Sequence, residues 1–208
     1  MSPFVIRALI QFPLLLFSIT VHEYCHGLMA ERRGDDTARL LGRLTLNPIA
    51  HIDLFGTILL PLLAMISGFP LFGWAKPVPI NPLRLYSPRS DMMYIGLAGP
   101  VANFSLAVAS ALILRFIISS GLFITFAPLV HYLLIINVIL AVFNLIPVPP
   151  LDGSHILGGL LPRDMAYQYE RIKPYGFIII IFLLYSGMLW AFLMPIVRFI
   201  IRLLGGGI

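Results

Sequence analysis

Ser18-Ile19-Thr20-Val21-His22-Glu23-Tyr24-Cys25-His26-Gly27-Leu28 decides how this chain is read, because two histidines and a glutamate stand inside an apolar run reaching from Pro3 to Ala30. About 20 apolar residues suffice to cross a bilayer as a helix. Ionisable side chains at that depth are expensive and are by default functional. The pattern therefore places chemistry inside the membrane.

The whole composition agrees. Of 208 residues, 59% are hydrophobic and 11% charged, with a mean hydropathy of +0.95. That is far from a water-soluble domain. The formal charge of +5 is not gathered into a basic run or repeat, so no nucleic-acid partner is expected. Cys25 is the single cysteine, which excludes an intramolecular disulfide. The first apolar stretch lacks a basic leader and a small-residue cleavage site and carries the histidines, so it is expected to be retained.

The expected fold is an all-α polytopic membrane protein with about four full spans: Phe4–Ala30, Met92–Ile118, Ala127–Ile146 and Tyr175–Ile201. Leu54–Phe72, interrupted by Pro61 and Gly68, reads as a re-entrant or interfacial segment, and Ile156–Leu161 is too short to cross. Residues 73–82 carry Pro77, Pro79 and Pro82, which forbid a helix and favour a small β-hairpin or an extended edge strand. No repeat, heptad or linker divides the chain. Residues 1–208 are read as one membrane domain without an appended soluble module, with a core over about 8–160 and a C-terminal span over about 175–201.

A re-entrant Leu54–Phe72 would bring Asp152 to the side of the membrane on which the first span, with its histidines, ends. The loops on that side hold Arg32, Arg33, Arg39, Arg43, Lys76, Arg84, Arg89, Arg163, Arg171 and Lys173, ten of the 14 basic residues. By the positive-inside rule that side is cytoplasmic. The expected location is a prokaryotic cell membrane, with the site reached from the cytoplasm.

His22-Glu23-Tyr24-Cys25-His26 has the HExxH spacing. On a helix, positions four apart differ by about 40° around the axis and about 6 Å along it, so both imidazoles reach one ion. Glu23 shares their broad face and suits action on a metal-held water. A catalytic zinc needs a third protein ligand. Met29 and Arg32 stand where the extended HExxHxxGxxH form would need glycine and histidine, so the third ligand is remote. Asp152, in Asn144-Leu145-Ile146-Pro147-Val148-Pro149-Pro150-Leu151-Asp152-Gly153, is the preferred candidate. The plainer reading makes Asp152 an N-cap of the short helix after it. His51, Asp53, His131 and His155 compete, and each is read as structural.

These segments resemble the site-2 protease family of intramembrane zinc metalloproteases. HEYCH matches its HExxH, and Asn144 through Gly153 matches its NxxPxxPxDG pattern. Arg43–Thr57, Phe72–Pro79 and Gly99-Pro100-Val101-Ala102-Asn103 are similar to its compact bacterial and archaeal branch, which lacks a PDZ domain. The resemblance implies one zinc per chain on His22, His26 and Asp152, with Glu23 as catalytic acid and base. Asn144, then Asn103, are the candidate donors to a developing oxyanion. Lys76, Pro77, Val78 and Pro79 are the candidate substrate-binding strand, which could hold an unwound substrate helix by β-addition.

The partners implied are a transmembrane-helix protein substrate and the lipid bilayer. The expected reaction is hydrolysis of a peptide bond in or near a transmembrane helix of a membrane-anchored substrate, as regulated intramembrane proteolysis. Two other classes compete: a membrane zinc transporter, against which stands the absence of inverted repeats, and a metal-binding membrane assembly factor. Cys25 beside His26 is read as a small buried hydrophobe. No feature of the chain specifies an oligomeric state.

Overall fold

The computed structural model describes residues 3–59 and 75–205, with side chains from residue 10 onward except that of residue 58. Eight α-helices run through these residues: α1 (Pro3–Arg32), α2 (Thr37–Leu40), α3 (Pro88–Ser120), α4 (Ala127–Asn144), α5 (Asp152–Leu160), α6 (Arg163–Glu170), α7 (Gly176–Tyr185) and α8 (Met188–Leu203). The described structure is all-helical, 77% helix with no strand.

Helix α3 is the hub, packed against α1, α4 and α5, while α4 also meets α1 and α8. The seam is legible as helical spacing. Ala107, Ala111 and Leu114 of α3 meet Leu134, Val138 and Val142 of α4 and Leu189, Leu193 and Val197 of α8 in one buried cluster. Positions three and four apart stack on one helix face. The outward faces are as apolar as the inward ones, with Leu112, Phe116, Phe182, Phe192 and Phe199 all exposed. In water such a surface would associate, whereas beside hydrocarbon it is at rest.

Two helical stretches, Pro88–Ser120 and Ile124–Asn144, are long and apolar enough to cross a membrane, and a third pairs α6–α7 with α8 across a 77° bend. The expectation of one continuous C-terminal span over Tyr175–Ile201 is therefore corrected. Ser186 and Gly187 break it. Gly187 takes the left-handed φ of +75°, a conformation that favours glycine. The Ser186 hydroxyl donates to Leu183 O at 3.2 Å and accepts from Met188 N–H at 3.4 Å, closing one helix and opening the next.

The expected hairpin near 73–82 is not a β-ladder among the described residues. Ala75–Asn81 lies outside any helix, and its available N–H groups go elsewhere. Lys76 N–H donates to His51 O at 3.0 Å, Val78 N–H to the Glu23 carboxylate at 2.8 Å, and Asn81 N–H to buried Asp35 at 2.6 Å. Prolines at 77 and 79 offer no donor for a partner strand. Arg43 holds the other side, donating to Lys76 O at 2.9 Å and Pro77 O at 3.2 Å. The segment is thus strapped across the C-terminal half of α1. The re-entrant reading of Leu54–Phe72 rests mostly on residues outside the described ones. Its start, Leu54–Leu59, is a π-helical turn capped by Asp53, which accepts from Phe55 N–H and Gly56 N–H.

Leu134→Ala, which empties a fully buried position in the α3–α4–α8 seam, should cost about 2–5 kcal/mol. In detergent its thermal unfolding midpoint should fall clearly below wild type, while Phe116→Ala, on the outer face, should leave the midpoint close to unchanged.

Candidate metal centre

Helix α1 delivers His22 and His26 one turn apart, and their rings meet edge to face at 4.5 Å between centroids. Their Nε2 atoms are 2.9 Å apart. Asp152 arrives from the first turn of α5, with one carboxylate oxygen 3.1 Å from His22 Nε2 and the other 3.2 Å from His26 Nε2. The three form the group among the described residues whose donor atoms could share one metal ion.

The back sides of the rings settle what the front sides offer. His22 Nδ1 lies 2.6 Å from Asn103 Oδ1, and His26 Nδ1 lies 2.6 Å from Ile95 O. Both partners are acceptors, so each Nδ1 carries a proton and Nε2 is the nitrogen each ring offers to a metal. Two lone pairs and a carboxylate facing one point repel each other unless a cation joins them. Asp152 also has a buried carboxylate oxygen with no hydrogen-bond donor. Ring N–H groups anchored on protein acceptors are the usual support of metal-bound imidazoles. The donor set, two nitrogens and one oxygen, suits zinc with a position left open.

Two glycines make the approach possible. A Cβ at Gly99 would stand 2.4 Å from His26 Nε2 and 2.6 Å from His22 Nε2, against both of the nitrogens that face Asp152. A Cβ at Gly153 would stand 2.3 Å from Leu145 O, so only glycine lets α5 begin against the end of α4 and aim Asp152 at the histidines. Asp152 is the first residue of α5 and makes no capping bond, which sets aside its plainer reading as an N-cap.

The group opens on a cavity of about 550 Å³ whose walls include Glu23, Pro77, Val78, Leu140, Asn144 and His155. Glu23 is held by Val78 N–H. Asn144 borders the cavity and donates to Leu140 O at 3.0 Å; among the described residues its second amide N–H has no partner. Asn103, read from the sequence as a second oxyanion donor, is fully buried behind His22 and does not line the cavity. Of the expected substrate strand, Pro77 and Val78 border the cavity while Lys76 and Pro79 do not.

The competing ligands fall outside the group. His51 is buried with Nε2 bonded to Thr45 O at 2.9 Å, Asp53 caps its turn, and neither His131 nor Cys25 lines the cavity. His155 does line it. Burial, then the nearby Lys173 charge, push its imidazole below the ordinary histidine value. His155, read from the sequence as structural, borders the cavity, and sequence reasoning did not single out Asn137 and Ser18, which lie behind the metal centre. The carboxamide of Asn137 in the middle of the largely apolar Ala127–Ile146 was the available signal.

Residues 11–127 and 119–187 match Peptidase family M50, the site-2 protease family, and the chain belongs to it. YwhC of Bacillus subtilis (strain 168) is 39% identical over 193 residues, covering 86% of this chain and 83% of its own. Rip2 of Mycolicibacterium smegmatis is 29% identical, covering 85% and 68%. MJ0392 of Methanocaldococcus jannaschii is 25% identical over 76% of this chain but only 36% of its own length. The words zinc metalloprotease stand in the names of all three. No solved structure matches. The chain is thus a membrane metalloprotease of the zinc class, and the readings as transporter or assembly factor give way.

Gly99→Ala should abolish zinc binding without unfolding the bundle, because its methyl group would press against both histidine nitrogens that face Asp152. Metal analysis of the purified variant should give well under one zinc per chain, with a wild-type helical circular-dichroism signal.

Proposed function

We propose that this member of Peptidase family M50 hydrolyses a peptide bond in or near a transmembrane helix of a membrane-anchored protein. His22, His26 and Asp152 hold the zinc and Glu23 serves as acid and base. The observation that carries this reading is the convergence of His22, His26 and Asp152 within hydrogen-bond distance beside Glu23, at the edge of a cavity walled by apolar side chains.

When bound, zinc supplies a Lewis acid that acidifies water and polarises the scissile carbonyl. Glu23, with one oxygen fixed by Val78 N–H, keeps its other oxygen for the proton released by the attacking water. It then delivers that proton to the leaving amide nitrogen as the C–N bond breaks. Asn144, which borders the cavity, is the candidate donor to the developing oxyanion, a role its second amide N–H supports. Pro77 and Val78, bordering the cavity beside Glu23, support a role in holding an unwound stretch of substrate. Lys76 and Pro79 would act through the backbone of the same segment.

A substrate helix must unwind locally before its carbonyl is accessible, since an intact helix pairs and packs its own peptide groups. An apolar cavity shields that exposed backbone from lipid while the polar donors engage it. The proposed topology has four spans within a single domain over residues 1–208: α1, α3, α4 and the bent α6–α8 unit. Excess Lys and Arg in the loops after α1 and α4 support a cytoplasmic opening of the site. Regulated intramembrane proteolysis, freeing a cytoplasmic effector from its anchor, is the biological form such a reaction takes.

Wild type and Glu23→Gln, purified in detergent and incubated with a panel of single-span substrates, test this directly. About one zinc per chain is expected in both, with cleavage inside the span by wild type and a loss of about 100- to 10,000-fold in the variant. Equal cleavage by both proteins would remove Glu23 from the reaction, and cleavage confined to soluble peptides would contradict an intramembrane substrate.

A further inference from the structure

Behind the metal centre the bundle holds Ser18 of α1, Asn103 of α3 and Asn137 of α4, all at 0% exposure. Other buried hydroxyls satisfy themselves on their own helix, as Thr20 does on Leu16 O and Ser110 on Leu106 O. A carboxamide has two protons and a carbonyl to place and cannot be satisfied that way. Here the three residues satisfy one another in a fixed direction.

Ser18 Oγ donates to Leu14 O at 2.9 Å, which leaves its lone pairs free to accept. Asn137 Nδ2 spends its protons on Ser18 Oγ at 2.9 Å and Leu133 O at 2.9 Å. That turns Asn137 Oδ1 toward Asn103, whose Nδ2 donates to it at 2.8 Å and to Ser18 O at 3.2 Å. With both of its amide protons placed, Asn103 presents only Oδ1 to His22 Nδ1, at 2.6 Å.

The rotation of the Asn103 amide therefore decides which nitrogen of His22 keeps its lone pair. Carbonyl oxygen opposite Nδ1 demands a proton there and frees Nε2, the atom facing Asp152. A flipped amide would set N–H opposite Nδ1 and favour the proton on Nε2, blocking the metal. His26 has no such ambiguity, because its Nδ1 faces the backbone carbonyl of Ile95, which cannot flip.

We infer that Asn137 and Ser18 are positioning residues for the metal centre, fixing the Asn103 amide and through it the tautomer of His22. The effect on metal affinity rests on the zinc reading above, whereas the effect on the tautomer does not.

The test uses the full chain with nitrogen-15-labelled histidine. His22 is assigned by the signals lost in His22→Gln, and zinc affinity is measured by competition with a chelator. Metal-free wild type should show the Nδ1–H tautomer at His22. Asn137→Leu, close in volume but without the amide, should show mixed tautomers at His22 and bind zinc about 10-fold more weakly or worse, the range for support of metal ligands. Asn137→Asp, which keeps an acceptor facing Asn103, should recover most of the affinity, and Ser110→Ala should match wild type. Ser18→Ala removes one acceptor at little change in volume and should move both readouts in the same direction by a smaller factor, so it decides the matter if Asn137→Leu fails to fold. Wild-type tautomer and affinity in the folded variants, or equal loss in Asn137→Leu and Asn137→Asp, would overturn the inference. A wild type that binds no zinc yet shows the tautomer change in Asn137→Leu would sink the zinc reading and leave the relay standing.

Discussion

Two buried imidazole nitrogens and a carboxylate held about 3 Å from one another form a cluster that a cation, a proton or a metal ion, must hold together. Much of the surrounding structure keeps that cluster in place. Gly99 leaves the space, Gly153 lets α5 start close enough to aim Asp152, and Ile95 O and Asn103 Oδ1 hold the ring protons on the far side. A bundle built only for stability would not retain such a cluster, because burying unpaired polar groups costs several kcal/mol in hydrocarbon.

The centre is made of one rigid element and one that must be brought to it. His22, Glu23 and His26 share a helix, so their mutual placement follows from helical geometry. Asp152 is more than a hundred residues away and depends on the packing of α3 against both α1 and α5. The strap of residues 75–81 performs a similar service for Glu23. Buried Asp35, in the turn after α1, and Arg43 beyond it tie the strap down, and the strap's Val78 N–H then orients the carboxylate. Stability and chemistry are joined here through hydrogen bonds between side chains of other elements and the backbone of the strap.

What could be read from the sequence was whatever has a fixed spacing or a strong cost. HExxH is fixed by the helical repeat, and buried charge in an apolar run is too expensive to be incidental, so the pair of histidines and Glu23 stood out. Asp152 was legible because a proline-stiffened turn followed by glycine marks a chain held in one place. The break at Ser186-Gly187 was not, since 20 apolar residues look the same whether a helix runs straight or bends. Nor was the fate of residues 75–81. Prolines announce extended backbone, but whether its donors meet another strand or a glutamate depends on tertiary neighbours. Asn103 stood out as a candidate donor to the oxyanion, whereas it lies behind His22, because sequence cannot tell the front of a histidine from its back.

X-ray absorption at the zinc edge of the purified, membrane-reconstituted protein addresses the centre most directly, since it reports the atoms bound to the metal without requiring a substrate. The structure predicts a first shell of nitrogen and oxygen only, with outer-shell scattering from two imidazoles, and loss of the oxygen ligand's contribution with weakened binding in Asp152→Asn. A sulfur neighbour, from Cys25 or from a methionine thioether such as that of Met92 on the cavity wall, or a single imidazole would contradict the assignment of His22, His26 and Asp152.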